Sequence, residues 1–230
     1  YAQALYGIGR NLIVHQVGPA IASGCPVIVK PAEDTPLSCF RFVQILHEAG
    51  LPTEYCQSLV VNDLSVAEQL VSDKRVGFFT FIGSGKVGWM LRSKLAPGAR
   101  CALEHGGVAP VIIDDTADLN DTLPLIAKGG FYHAGQVCVS VQRVFAPREI
   151  AEDVACKIAE LGKAMKIGDP TLEKTMVGPL IRLKEVKRVG EWVDEAKKAG
   201  ATCIIGGNQI SDTTYSCTVL LDPPQNIRIS

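Results

Sequence analysis

Arg75-Val76-Gly77-Phe78-Phe79-Thr80-Phe81-Ile82-Gly83-Ser84-Gly85-Lys86-Val87-Gly88 is the stretch on which the fold turns. Residues 75–81 form an apolar, aromatic-rich run of strand type. Gly83-Ser84-Gly85-Lys86-Val87-Gly88 matches G-x-G-x-x-G and leads into a helix predicted over 87–95. Glycines at such a turn let the backbone approach a pyrophosphate, and the helix N-terminus offers oriented N–H groups. A dinucleotide site of this kind calls for an acid about 20 residues further on. Glu104 lies 21 residues beyond Gly83, at the end of the next strand, 100–104. On spacing alone, Glu104 would hydrogen-bond a ribose. By itself the motif is equally a tight strand-to-helix turn.

Outward from this turn, strands and helices alternate. Toward the N-terminus the pattern gives a strand over 26–30. Thr35 then caps a helix with Pro36 in its first turn, running to Gly50. A strand over 56–61 follows, and Ser65-Val66-Ala67-Glu68 has capping-box spacing at the head of a helix to about Ser72. Toward the C-terminus come a strand over 109–113, a helix over 119–131, a strand over 141–146 and a helix over 149–163. A charged amphipathic helix spans 182–198, with strands at 201–205 and 216–221. Alternation with short connections implies βαβ units, a mostly parallel sheet and an α/β fold class. Strand, glycine pair and new strand at Gly106-Gly107 place the domain junction there, dividing residues 1–106 from 107–230.

Composition sets the bounds. The 230 residues suffice for one large domain or two small ones. Hydrophobic residues at 47% and charged residues at 20% are globular proportions, far from those of a disordered chain. A net charge of -1 without a basic cluster excludes a nucleic-acid footprint. None of the eight cysteines forms a CxxC pair, and only four histidines accompany them, so metal-finger spacing is absent. Scattered cysteines in apolar runs read as reduced. The longest apolar stretch, 17–29, is broken by glycine and proline and is too short to span a bilayer. The expectation is a cytoplasmic α/β protein with no membrane partner.

Two further constellations carry chemistry. Cys138 follows Gly135-Gln136-Val137, where glycine and short residues suggest an exposed, tightly turned loop between helix and strand. A nucleophilic cysteine needs such access and a stabilised thiolate; for any one cysteine out of eight, a buried apolar role is the commoner one. Lys30 and Glu33, in Lys30-Pro31-Ala32-Glu33-Asp34-Thr35-Pro36, stand just beyond a strand end, where open α/β sheets bind ligands. They would grip ribose hydroxyls, or form a solvated loop ahead of a helix.

Taken together, these residues resemble the aldehyde dehydrogenase superfamily. The resemblance runs from Asn11-Leu12-Ile13-Val14-His15 through Gly18-Pro19-Ala20-Ile21, Val29-Lys30-Pro31-Ala32-Glu33 and Glu48-Ala49-Gly50-Leu51-Pro52. It continues through Ile82-Gly83-Ser84, Leu103-Glu104-His105-Gly106-Gly107, Ala134-Gly135-Gln136-Val137-Cys138, Gly168-Asp169-Pro170 and Val177-Gly178-Pro179-Leu180-Ile181. It implies a Rossmann-like coenzyme-binding domain within 1–106, followed by part of an α/β catalytic domain in 107–230. It implies NAD as cofactor, with NADP as the other candidate. Lys30 and Glu33 would hold the ribose, Gly83 and Ser84 the pyrophosphate turn, with Val87 and Gly106 also at the cofactor. Cys138 would be the nucleophile. Glu104 becomes the general base that activates water against a Cys138 thioester, and no longer the ribose ligand. A small-molecule aldehyde would be the substrate, and the enzyme a homo-oligomer, dimer or tetramer.

Departures from the family pattern matter as well. The family's Pro-(aromatic)-Asn-(aromatic)-Pro, whose asparagine donates to the oxyanion, is replaced by Tyr6-Gly7-Ile8-Gly9-Arg10, and its later Glu-x-Phe-Gly-Pro motif has no counterpart up to Ser230. His105, Val108 and His133 stand where leucine, lysine and asparagine are usual. The expectation is the middle part of an aldehyde dehydrogenase. A truncated, non-catalytic nucleotide-binding fragment and a coenzyme A-acylating dehydrogenase are the alternatives, and a retained Glu104 argues against the latter.

Overall fold

In the computed structural model, which describes residues 9–230, helix α1 (Gly9–Ala22) runs through Gly18-Pro19. The sequence pattern assigns no element there, and an internal proline removes a helical hydrogen bond at a cost of about 3 kcal/mol. Burial offsets it. Ile13 and Val17, one turn apart, are almost fully buried, and full burial of such side chains contributes about 1.5–3 kcal/mol each. Of the Tyr6-Gly7-Ile8-Gly9-Arg10 stretch, Tyr6, Gly7 and Ile8 lie outside the described residues.

The chain divides between Gly106 and Gly107 into two compact units. In the first, β1 (Val27–Val29) pairs in parallel with β2 (Cys56–Ser58), and β3 (Phe78–Gly83) in parallel with β4 (Arg100–His105). The connecting helices are α2 (Leu37–Glu48), α3 (Leu64–Ser72) and α4 (Gly85–Arg92). Strand β3 is covered on both faces, as parallel strands are. Phe79 and Phe81 pack with Val71 and Leu91, while Ile82 joins Ile13, Val17, Val27 and Val29.

The second unit pairs β5 (Val111–Ile112) in parallel with β6 (Val144–Phe145), and β7 (Thr202–Ile205) with β8 (Val219–Leu221) in antiparallel fashion. Its helices are α5 (Leu119–Phe131), α6 (Ala151–Ala164) and α7 (Leu183–Lys198). A core of Ile113, Leu123, Ile126, Ala127, Val154 and Ile158 joins α5 to α6. The α/β class therefore stands, with three parallel strand pairs and one antiparallel among the described residues.

Two helix starts differ from expectation. Pro36, not Thr35, occupies the cap position of α2, and no side chain caps it. Asp63, not Ser65, caps α3 by accepting from the Ser65 amide at 2.8 Å. That backbone hydrogen bond holds the Asp63 carboxyl below the usual carboxylate range. Capping-box spacing alone cannot tell which of two neighbouring cap formers takes the role. Among the described residues no helix is long and apolar enough to cross a membrane.

Candidate active site

Parallel pairing sets the geometry of the glycine turn. Ile82 stands opposite Glu104 and Gly83 opposite His105, so Glu104 lies at the C-terminal end of β4, beside the β3–α4 turn. Ser84 caps α4, its Oγ accepting from the Val87 amide at 3.4 Å. An added Cβ at Gly83 would come within 2.6 Å of the Phe81 ring, and at Gly88 it would collide with the His105 imidazole. A side chain at either position would force one of these rings to shift, whatever binds there. Gly106 differs: a Cβ there meets no heavy atom within 4 Å. Glu104 is exposed at its strand end.

Lys30 leaves β1 almost fully buried, with 6% of its surface exposed. A buried ammonium must be paired. Its Nζ donates to the Glu33 carboxylate and to the Pro31 carbonyl, the latter at 3.2 Å. The turn after β1 thus presents a preassembled Lys–Glu pair, with Glu33 half-buried. Lys30, Glu33, Gly83, Ser84, Val87 and Glu104 all belong to the first unit, and Cys138 to the second. The donor set suits a dinucleotide: a carboxylate and an ammonium for ribose hydroxyls, and a glycine turn opening a helix for phosphate.

Cys138 is exposed on a turn that follows α5. Three consecutive left-handed residues lead into it: His133 (φ 50°), Ala134 (φ 55°) and Gly135 (φ 71°). Only the glycine adopts that region freely. The Gln136 side chain accepts from the Ile181 amide at 2.9 Å and donates to the Pro179 and His133 carbonyls, each at 3.1 Å. Beyond the cysteine, Ser140 is fully buried. Its hydroxyl is shared between the Gly129 and Gly130 carbonyls, at 3.0 and 3.1 Å. A Cβ on Gly107 would lie 3.5 Å from the Cys138 carbonyl oxygen, which brings that glycine against the turn.

Sequence reasoning missed three features here. The left-handed run carries only one glycine, so it has no compositional signal. The Gln136 and Ser140 anchors reach residues far along the chain. His105 reads only as a replacement for leucine, yet it packs under α4 with both ring nitrogens buried and without a hydrogen-bond partner. Its position beside Glu104 was the available signal.

Comparison with known proteins follows the same lines. The model of the aldehyde dehydrogenase family matches residues 8–230. A 3-sulfolactaldehyde dehydrogenase of Priestia aryabhattai is 37% identical over 224 residues, covering 97% of this chain and 46% of the relative. A crystal structure of a glyceraldehyde-3-phosphate dehydrogenase from Methanocaldococcus jannaschii complexed with NADP superposes with a TM-score of 0.88 at 32% identity, covering 95% of this chain and 49% of that one. A Mycobacterium tuberculosis aldehyde dehydrogenase complexed with NAD+ gives a TM-score of 0.92 at 28% identity, covering 99% of this chain and 48% of that one. The chain spans about half the length of the curated relatives it matches.

Proposed function

The chain belongs to the aldehyde dehydrogenase family, and from that premise we propose that it serves NAD(P)-dependent oxidation of a small aldehyde to a carboxylic acid through a thioester on Cys138. What supports this reading is the exposed cysteine on an anchored turn, together with a glycine turn and a Lys–Glu pair suited to a dinucleotide. The first unit would be part of the coenzyme-binding domain and the second part of the catalytic domain.

The Cys138 thiolate adds to the aldehyde carbon and forms a tetrahedral thiohemiacetal. The Cys138 backbone N–H helps hold the oxyanion; one such donor is typically worth about 10²–10³ in rate. Acceptance of hydride from the substrate carbon is the chemistry a nicotinamide dinucleotide supplies when bound, and a thioester remains on Cys138. Glu104 takes a proton from water, which attacks the thioester carbon; the C–S bond breaks, releasing the acid and the thiolate. Gly83 and Ser84 would hold the pyrophosphate, Val87 would lie on the helix beneath the cofactor, Gly106 would lie against the cofactor, and Lys30 and Glu33 would hold the ribose.

Two relatives are named for small hydroxylated aldehydes carrying a strong acid group, one sulfonated and one phosphorylated. We assign this chain to the same substrate class. The test is intact-mass spectrometry of Glu104→Gln, in which hydrolysis of the thioester is blocked, given NAD or NADP and a panel of sulfonated, phosphorylated, hydroxylated and long-chain aldehydes. An acyl adduct on Cys138 that disappears in Cys138→Ser is expected, strongest with the small acidic aldehydes. Absence of any adduct would leave a nucleotide-binding role only, and preference for a long-chain aldehyde would overturn the substrate class.

A further inference from the structure

The Cys138 turn stands in a conformation its own residues do not favour. His133 and Ala134 both adopt positive φ, at 50° and 55°, and Gly135 extends the run at 71°. Non-glycine residues hold such angles only where their surroundings over-determine them. The surroundings are two anchors, one on each side of the cysteine.

Before it, the carboxamide of Gln136 bonds three backbone groups. Its Oε1 accepts from Ile181 N–H, and its Nε2 donates to the carbonyls of Pro179 and of His133, itself one of the left-handed residues. One planar head that both accepts and donates is the property of an amide. Glutamate at the same length can accept from Ile181 but would face two carbonyl oxygens with no donor, and asparagine is one methylene short. After the cysteine, the buried Ser140 hydroxyl is tied to the last turn of α5 through Gly129 and Gly130. The Val141 amide donates to the Gly129 carbonyl at 3.1 Å. That helix end packs closely: a Cβ on Gly130 would lie 3.1 Å from the Val141 carbonyl oxygen and one on Gly129 would lie 3.2 Å from its side chain. Val137, Cys138 and Val139 span the gap, with the cysteine exposed.

We infer that Gln136 is a positioning residue: its amide locks the left-handed run to the Pro179–Ile181 segment and so fixes the direction in which Cys138 presents its sulfur. The inference rests on the nucleophile reading above, since fixing the sulfur matters only if it attacks a carbon. An attacking atom misplaced by about 1 Å costs on the order of 100-fold in rate.

The experiment is hydrogen exchange by mass spectrometry on the whole chain, comparing wild type, Gln136→Ala and Gln136→Glu, with Cys138 adduct formation measured alongside on a Glu104→Gln background, where the thioester is not hydrolysed. In Gln136→Ala, peptides carrying the Ile181 amide and the 132–142 amides should exchange about fivefold faster, the equivalent of about 1 kcal/mol per lost hydrogen bond, while those of α6 stay unchanged. Adduct formation should slow tenfold or more with the cofactor dissociation constant unmoved. In Gln136→Glu the introduced carboxyl regains a donor when protonated. Its exchange relative to wild type should therefore approach one at low pH and rise as pH increases through the carboxyl range. Unchanged exchange at Ile181 and 132–142 in Gln136→Ala overturns the clamp. Faster exchange with undiminished adduct formation overturns the positioning role. A pH-independent Gln136→Glu overturns the donor assignment. If Glu104→Gln with Gln136 intact forms no adduct with any aldehyde, the proposed function is refuted instead, and the clamp is then decided by exchange alone.

Discussion

At the scale of single residues, burial separates the thiols. It pushes the Cys39 thiol up to about 11, with Cys56 close by adding to the effect, and raises Cys56 and Cys217 as well. A thiol held neutral is a poor nucleophile, so these cysteines are core residues, whereas Cys138 stands in solvent. Glu104 has two candidate roles with different kinetic signatures. As a general base acting after hydride transfer, it should leave Glu104→Gln able to bind NAD normally, release one equivalent of NADH per site and then stall as the acyl-enzyme. Weakened NAD binding with undiminished saturated turnover would return it to the ribose. As a ribose ligand, Glu33 would bear on cofactor choice. A carboxylate about 4 Å from a 2′-phosphate would cost roughly 4 kcal/mol at an effective dielectric near 20. The Lys30 ammonium pairs with Glu33 and cancels part of that repulsion. NAD should therefore bind better than NADP, but by a modest factor. Glu33→Gln should move the ratio of dissociation constants toward NADP about tenfold, or about 1.4 kcal/mol, by titration calorimetry. An unmoved ratio would remove Glu33 from the ribose site.

At the scale of elements, α4 is held to β4 by the absence of side chains. Gly88 lies under the His105 ring and near Phe81, and a methyl group there would overlap the imidazole. Gly88→Ala should destabilise the protein by about 1–3 kcal/mol, as overpacking does, and weaken cofactor binding by displacing the Ser84 cap. On a His105→Ala background the same substitution should cost less in a thermal melt, because the colliding ring is gone and only the 3.1 Å approach to Phe81 remains. Equal losses in both backgrounds would show that the helix, not the ring contact, sets the cost. The same scale shows what the sequence makes legible. The α5 boundaries, Leu119–Phe131, coincide with the periodic pattern. The shorter strands follow from what hydrogen bonding keeps: β5 and β6 hold two residues each where the strands expected from sequence, 109–113 and 141–146, are five and six long. Apolar character persists past the ladder because the flanking residues still pack on α5 and α6. Helix α1 was hidden by Gly18-Pro19, whose local cost is overridden by tertiary burial. The residue types of the site were readable, since glycine turns and a Gly-Gln-x-Cys run carry their chemistry in the letters. The contacts that hold them were not, because Gln136 meets Ile181 across 45 positions and His105 meets Gly88 only once β4 and α4 are packed.

At the scale of the whole molecule, the core of the first unit and its glycine turn share a residue. Phe81 is 1% exposed and packs with Phe79, Val71 and Leu91, yet its ring also lies where a Cβ on Gly83 would fall, 2.6 Å away. The aromatic ring that fills the core is therefore also the floor of the glycine turn, and if that turn holds the cofactor, stability and binding should be coupled through it. Phe79 offers the control. It is equally buried, in the same cluster and on the same strand face, but further from the turn. Phe81→Leu and Phe79→Leu remove similar apolar volume, and each should cost about 1–2 kcal/mol through lost transfer energy and a partly collapsed cavity. Leucine is chosen because alanine, at about 3–5 kcal/mol, would consume much of a typical domain's stability. Both variants should therefore melt earlier by comparable amounts. Only Phe81→Leu should raise the dissociation constant for NAD, by about tenfold, since only there does the turn lose its support. Calorimetry well below the melting temperature keeps unfolding out of the binding measurement. If both variants bind NAD like the wild type, the glycine turn is rigid without its floor, and the coupling between core and site does not exist. If both weaken binding equally, the effect is a general softening of the unit and Phe81 has no special place in it.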